Sequence, residues 1–172
     1  MTPDREATLG AGTKPGALSP DELSEFLARP LIARVASVRT DQFPHITPMW
    51  FEWDAGRIWV ISRSRSAIAE HVRENPRVCV SIASDELPYT RVTIRGHAEI
   101  MNPDGSDNEW VARLHTMTSR YVGTVDSGYA DRTERFPRWL IAVTPLDLTS
   151  WRGGGWAKRY LKDAEGGEVG DA

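Results

Sequence analysis

The chain is short of cysteine, of long apolar runs and of net charge, and each shortage excludes a class of protein. Cys79 is the single cysteine among 172 residues. That excludes a disulfide scaffold and a cysteine-based zinc site. No apolar run reaches the length needed to span a membrane. The N-terminus, MTPDREATLGAGTKPGALSP, has no apolar core and does not read as a secretory signal, so the cytoplasm is the expected compartment. Net charge is only −3. Residues 162–171 set Lys162 against Asp163, Glu165, Glu168 and Asp171, so that tail carries the whole excess. A neutral body argues against binding a nucleic-acid backbone, while leaving room for one local anion pocket.

Metal and nucleotide signatures are missing as well. His45, His71, His97 and His115 never fall as His-x-His or His-x-x-x-His, so no metal site is expected. Cys79 lies between Val78 and Val80 and reads as a small core residue without a basic activator. There is no Gly-x-Ser-x-Gly, P-loop or Rossmann fingerprint, and Gly153–Gly155 follow the last expected strand instead of opening a helix.

What the chain does have is tryptophan, seven residues against four Tyr and four Phe. Charged residues at 26% and hydrophobic ones at 40% suit one globular domain. Residues 1–18 read as a flexible leader, 19–152 as the domain and 153–172 as a Gly-rich, acidic tail. Ser19-Pro20-Asp21-Glu22 predicts a helix start with a capping box, closed by Pro30. LIARVASV (31–38), HITPMWFEW (45–53) and RIWVIS (57–62) predict a meander, with Pro48 marking a bulge or an edge. SAIAEHVREN (66–75) turns helical and is capped by Ser66. Residues 77–83 look like a strand buried on both faces. Residues 89–101 alternate cleanly, with Val92, Ile94, Gly96, Ala98 and Ile100 on one face. A helix over about 107–121 and a loop over 122–136 follow. Two strands then come, 139–143 and 146–151, paired after Pro145. The order points to an α+β fold built on a small antiparallel barrel.

Two clusters could carry chemistry. Ser62-Arg63-Ser64-Arg65-Ser66 leaves a strand and opens a helix. Two cations, three hydroxyls and free helix amides together make an anion cradle, although a solvated turn has the same composition. Trp50, Trp53 and Trp59 lie on adjacent expected strands, and Trp151 and Trp156 flank the Gly triplet. A barrel of this size cannot bury all seven Trp, so some are expected at a dimer interface or against a flat ligand. Trp156 could swing over such a ligand on its glycine hinge.

The stretch from Ser19 to Trp151 resembles the pyridoxamine 5′-phosphate oxidase-like, flavin-binding split-barrel family. The resemblance rests on the Pro44–Phe51 strand, the Asp54-Ala55-Gly56 turn, the Ser-rich corner, Glu74-Asn75-Pro76-Arg77-Val78, the Arg95–Glu99 strand and TPLDLTSW (144–151). It implies a six-stranded antiparallel split β-barrel with peripheral helices, forming a homodimer around FMN or, alternatively, the deazaflavin coenzyme F420. It implies that Pro48, Met49 and Trp50 flank the ring. The corner that begins with Ile61 and Ser62 would hold the phosphate, with Arg63, Ser64, Arg65 and Ser66 as its donors, and Arg91 would contact the flavin from the partner side. Many flavin-binding relatives have an Arg-Lys or Ala-Lys pair where this chain has Ala67-Ile68, so Arg63 or Arg65 would have to replace that lysine. The implied activity is an FMN- or deazaflavin-dependent oxidoreductase acting on a small planar or conjugated substrate. The alternative is a non-catalytic flavin or haem carrier, for which His45, His97 or His115 would be axial ligands.

Overall fold

The computed structural model describes residues 16–86, 88–102, 108–123 and 128–153. The first fifteen residues and the tail from 154, with Trp156, lie outside these. Helix α1 (Pro20–Ala28) begins with the expected capping box: Glu22 N–H donates to Ser19 Oγ and Ser19 N–H to Glu22 Oε2. Its buried Leu23, Phe26 and Leu27 enter the main core. Gly16 and Leu18, expected in the flexible leader, are held against the end of the last strand. Arg152 N–H donates to Gly16 O, Leu18 N–H donates to Ser150 Oγ, and Leu18 is buried.

Seven strands form a single antiparallel sheet: β1 (Ala33–Val38), β2 (Pro44–Met49), β3 (Glu52–Asp54), β4 (Arg57–Arg63), β5 (Arg77–Ala83), β6 (Thr90–Ile100) and β7 (Arg138–Arg152). Their order is β2-β1-β5-β6-β7-β4-β3. The six strands of the resemblance are therefore not what is found, because HITPMWFEW breaks into β2 and β3 at Trp50-Phe51. The two pieces lie at opposite edges of the sheet. In a flat sheet those edges would stand about 29 Å apart. Three backbone steps from Met49 to Glu52 reach about 11 Å at most. The sheet must therefore curl until its edges nearly meet, which makes a split barrel. Pro48 sits on the edge strand β2, where its missing N–H costs no ladder bond.

The C-terminal strand also differs from expectation. Residues 138–152 form one strand, and both of its halves pair with β6. At the junction Gly96 opposes Pro145 while Arg95 opposes Asp147, so Leu146 bulges outward and is 61% exposed. A Cβ on Gly96 would overlap the Thr144 carbonyl oxygen, so the bulge demands glycine there. Residues 138–143 continue on to pair with β4.

Helices cover the barrel from outside. α2 (Ala67–Glu74) is capped by Ser66, α3 spans Glu109–Tyr121, and a short α4 (Tyr129–Glu134) occupies the region expected to be loop. Leu114 and Met117 of α3 and Ala130 of α4 join Trp59, Leu140 and Ala142 in a second core outside the barrel. Burial on both faces therefore belongs to β4 and the first half of β7. The strand β5, where it was expected, alternates between buried and half-buried residues. Among the described residues no helix is long and apolar enough to cross a membrane.

The seam is pinned from α3. The Tyr121 hydroxyl donates to Leu31 O at 2.5 Å and accepts from Phe51 N–H at 3.2 Å, and Phe51 is wholly buried. Tyr121→Phe strands both backbone groups and should cost about 1–3 kcal/mol in chemical denaturation. A loss within error of zero would remove the seam from the stability argument. The Glu22 carboxylate is held below its ordinary pKa, first by the Ser19 N–H bond, then by the Ser19 hydroxyl and Arg152. Its contribution is therefore full above the unfolded glutamate value and is lost as pH falls through the lower folded one. Amide exchange in residues 20–28 should accelerate selectively over that acid interval, and Glu22→Gln should flatten the dependence.

Candidate functional site

The strand-to-helix corner after β4 is built from serine hydroxyls. Ser66 Oγ accepts the Ala69 N–H of α2 and also hydrogen-bonds Ser62 Oγ, while Ser66 N–H closes the turn on Arg63 O. This leaves Ser64 and Arg65 at the tip and points the first amides of α2 toward the same space as Ser62. Amides at a helix start favour an anion.

A cleft of about 320 Å³ opens beside this corner. Pro48, Met49 and Trp50 line one side, and Ile61, Ser62, Arg63 and Ser66 line the other. The structure thus brings together seven of the eleven residues expected at a cofactor site. Ser64, Arg65 and Arg91 do not line it. Arg65 is exposed at the turn tip. Arg91 lies at the opposite end of β6, about 30 Å along the strand, with its guanidinium over the Trp151 ring. Only a second subunit could bring it to the cleft. Trp156 lies outside the described residues.

Sequence reasoning missed Arg138. It stands directly across the β4–β7 ladder from Arg63 and lines the cleft. Burial first, and the neighbouring Arg63 charge second, lower its pKa from the ordinary guanidinium value. Arginine remains charged at neutral pH even so. Its Nε is buried with no hydrogen-bond partner, as is Oγ1 of Thr47 on the opposite wall. Among the described residues neither Arg63 nor Arg138 forms a salt bridge. The missing lysine of the helix start, where Ile68 is core, is thus matched by a cation arriving from β7. Nothing in the local sequence RFPRWL showed this, because the partner of a residue in a sheet is set by long-range register.

Aromatic and apolar side chains complete the walls. Trp50 stacks on Tyr121 at 5.0 Å between ring centres and 9° between planes, and Tyr129 leans on it at 5.2 Å. Leu114, Met117, Tyr129 and Thr133 close the side formed by α3 and α4. Among the described residues Trp50 is the sole tryptophan of the lining. Trp59 packs in the outer core beneath the Arg113 guanidinium at 3.8 Å, Trp53 packs on the inner core, and Trp139 meets Arg73. Among the described residues no histidine and no carboxylate lines the cleft.

The sequence model of the family described as pyridoxamine 5′-phosphate oxidase matches residues 19–152. Among solved structures, the chain is similar to a conserved hypothetical protein from Mycobacterium tuberculosis. Identity is 24% and the TM-score 0.67, over 80% of this chain and 86% of that one. It is similar to an F420 reductase at 28% identity and a TM-score of 0.60, over 73% and 94%. It is also similar to a haem storage protein from Vibrio cholerae at 19% identity and a TM-score of 0.63, over 79% and 96%. A comparison with curated protein sequences gave no match.

Two like charges set opposite each other on a ladder repel, typically by about 0.2–1 kcal/mol. Arg138→Met keeps the apolar stem and removes that repulsion. The ligand-free protein should therefore unfold at equal or higher denaturant concentration after the change. A marked loss of stability would mean that Arg138 has a structural partner.

Proposed function

The chain belongs to the pyridoxamine 5′-phosphate oxidase family, and from that premise we propose that it is an oxidoreductase whose cleft holds FMN or the deazaflavin coenzyme F420 by its phosphate. The observation that carries the proposal is the pair of cations, Arg63 and Arg138, without acidic partners among the described residues, beside Ser62, Ser66 and the start of α2. Guanidinium forks, hydroxyls and helix amides are the donor set that a phosphate takes up. The buried, unpartnered Arg138 Nε is left short of an acceptor that a phosphate oxygen would supply.

The remaining lining suits a planar ring. β2 is an edge strand, so alternate backbone groups between Pro44 and Met49 have no strand partner and can meet the polar rim of a ring system. Pro48, Met49 and Trp50 form a wall on this side. Leu114, Met117 and Tyr129 keep water from the opposite one. A flavin or deazaflavin supplies the hydride or electron chemistry when bound, and the protein contributes position and charge. Among the described residues of the lining there is no carboxylate or imidazole to serve as a strong general base, a set that suits redox chemistry borne by a cofactor better than hydrolysis. A small planar or conjugated substrate fits the space left beside Trp50. A homodimer would bring Arg91 of the second subunit to the site.

The carrier alternative differs in one respect. A haem needs an axial ligand, and His45, His71, His97 and His115 are all absent from the lining. Titration of the purified full chain with FMN, coenzyme F420 and haemin, followed by absorbance and fluorescence, separates a flavin or deazaflavin site from a haem site, and reduction of a planar acceptor by the loaded protein separates an oxidoreductase from a flavin carrier. FMN or F420 should bind saturably. Arg138→Met and Arg63→Met should each weaken that binding about tenfold to a hundredfold, and Arg65→Met should leave it nearly unchanged. Binding of haemin alone, or of none of the three, overturns the proposal.

A further inference from the structure

Across the contact between α3 and α4 lies a cluster that the cleft does not use. His115 of α3 and Asp131 and Glu134 of α4 bring their ligand atoms within 4.8 Å of one another. His115 Nε2 already meets Glu134 Oε1. His115 and Asp131 are exposed and Glu134 is partly so, which leaves the cluster open to a hydrated ion. Spacing along the chain gives no sign of this group, because its members come from two helices.

Two carboxylates of α4 face the imidazole of α3. Asp131 and Glu134 are three residues apart, on one face, and repel each other. α4 has six residues and no side-chain cap, far short of what sustains a helix alone. Arg132 and the C-cap Arg135 balance the charge of the helix as a whole, but the carboxylates of Asp131 and Glu134 both stand within reach of the His115 ring. We propose that His115, Asp131 and Glu134 form a site for a divalent first-row transition-metal ion of the zinc type, which clips α4 onto α3.

The ligand chemistry selects the ion. One imidazole nitrogen with two carboxylate oxygens suits zinc, cobalt, nickel or manganese, whereas calcium and magnesium prefer oxygen alone. Ligand atoms on tetrahedral zinc stand about 3.4 Å apart, given bonds near 2.0–2.1 Å. Rotation of exposed side chains closes the difference from 4.8 Å. Three protein ligands leave further positions for water. The clip matters to the cleft because α4 also carries Tyr129 and Thr133, and Tyr129 leans on Trp50. The site itself does not rest on the cofactor reading.

The test uses the untagged full chain, stripped with chelator and titrated calorimetrically with zinc chloride. The expected result is one zinc ion per chain, with magnesium about a hundredfold weaker or worse. His115→Ala and the near-isosteric Asp131→Asn should each weaken zinc binding at least about tenfold, while His97→Ala on β6 should not. Hydrogen exchange at residues 129–134 should slow on adding zinc. Absence of saturable zinc binding overturns the proposal, as does equal binding by folded His115→Ala and Asp131→Asn proteins.

Discussion

The molecule depends on one covalent constraint: two residues, Trp50 and Phe51, must carry the chain from one edge of a seven-stranded sheet to the other. That short reach forces the curl, and the curl creates an inside. Phe51 fills the inside of the seam, while Trp50, its neighbour, faces the cleft. The Tyr121 hydroxyl ties the seam to the start of β1, and its ring stacks under Trp50. One tyrosine thus couples barrel closure to the placement of a cleft wall. Because α3 supplies that tyrosine together with Leu114 and Met117, the helix outside the barrel is as much part of the site as the strands.

The opposite end of the cleft is governed by charge. A fold optimised for stability alone would pair Arg63 or Arg138 with a carboxylate, as Arg113 is paired with Glu52, Asp54 and Glu109 a short distance away. Burial pulls the Arg113 pKa down, but the hydrogen bonds to three carboxylates together outweigh it and raise the value, and the ring of Trp59 lies under the guanidinium. Arg138 is shifted the other way, by burial and by a like charge. The contrast separates two uses of arginine in one sheet. Arg113 holds β3, β4 and α3 together, whereas Arg138 keeps unmet hydrogen-bonding capacity in the cleft. Retained frustration of this kind is typical of sites that answer to a ligand.

Local chemistry was legible in the sequence wherever a few adjacent residues decide it. The Ser19 and Ser66 caps, the β6 alternation and the edge position of Pro48 all follow from turn residues and period. The Ser62–Ser66 corner and the Pro48–Trp50 wall could be named, yet their meeting in one cleft depends on the curl. What could not be read depends on register. The pairing of Arg63 with Arg138 joins residues far apart in the chain, and the unbroken run of β7 past Pro145 depends on the bulge opposite Gly96. Tryptophan was over-read for a related reason: a surplus in composition does not say which face a strand turns inward, and Trp53 and Trp59 both turned to packing.

The β4–β7 ladder has a consequence for the order in which the protein is made. Its paired residues are separated by 75 to 85 positions, from Arg63 with Arg138 to Ile58 with Val143. Such contacts carry a large loop-closure cost and form late. During synthesis the N-terminal meander and the Ser-rich corner can emerge long before their partner strand exists. The second cation reaches the corner only when β7 docks. The facing of Arg63 and Arg138 at this cleft is therefore a property of the completed chain, and a partly folded or truncated one would hold half of the charge.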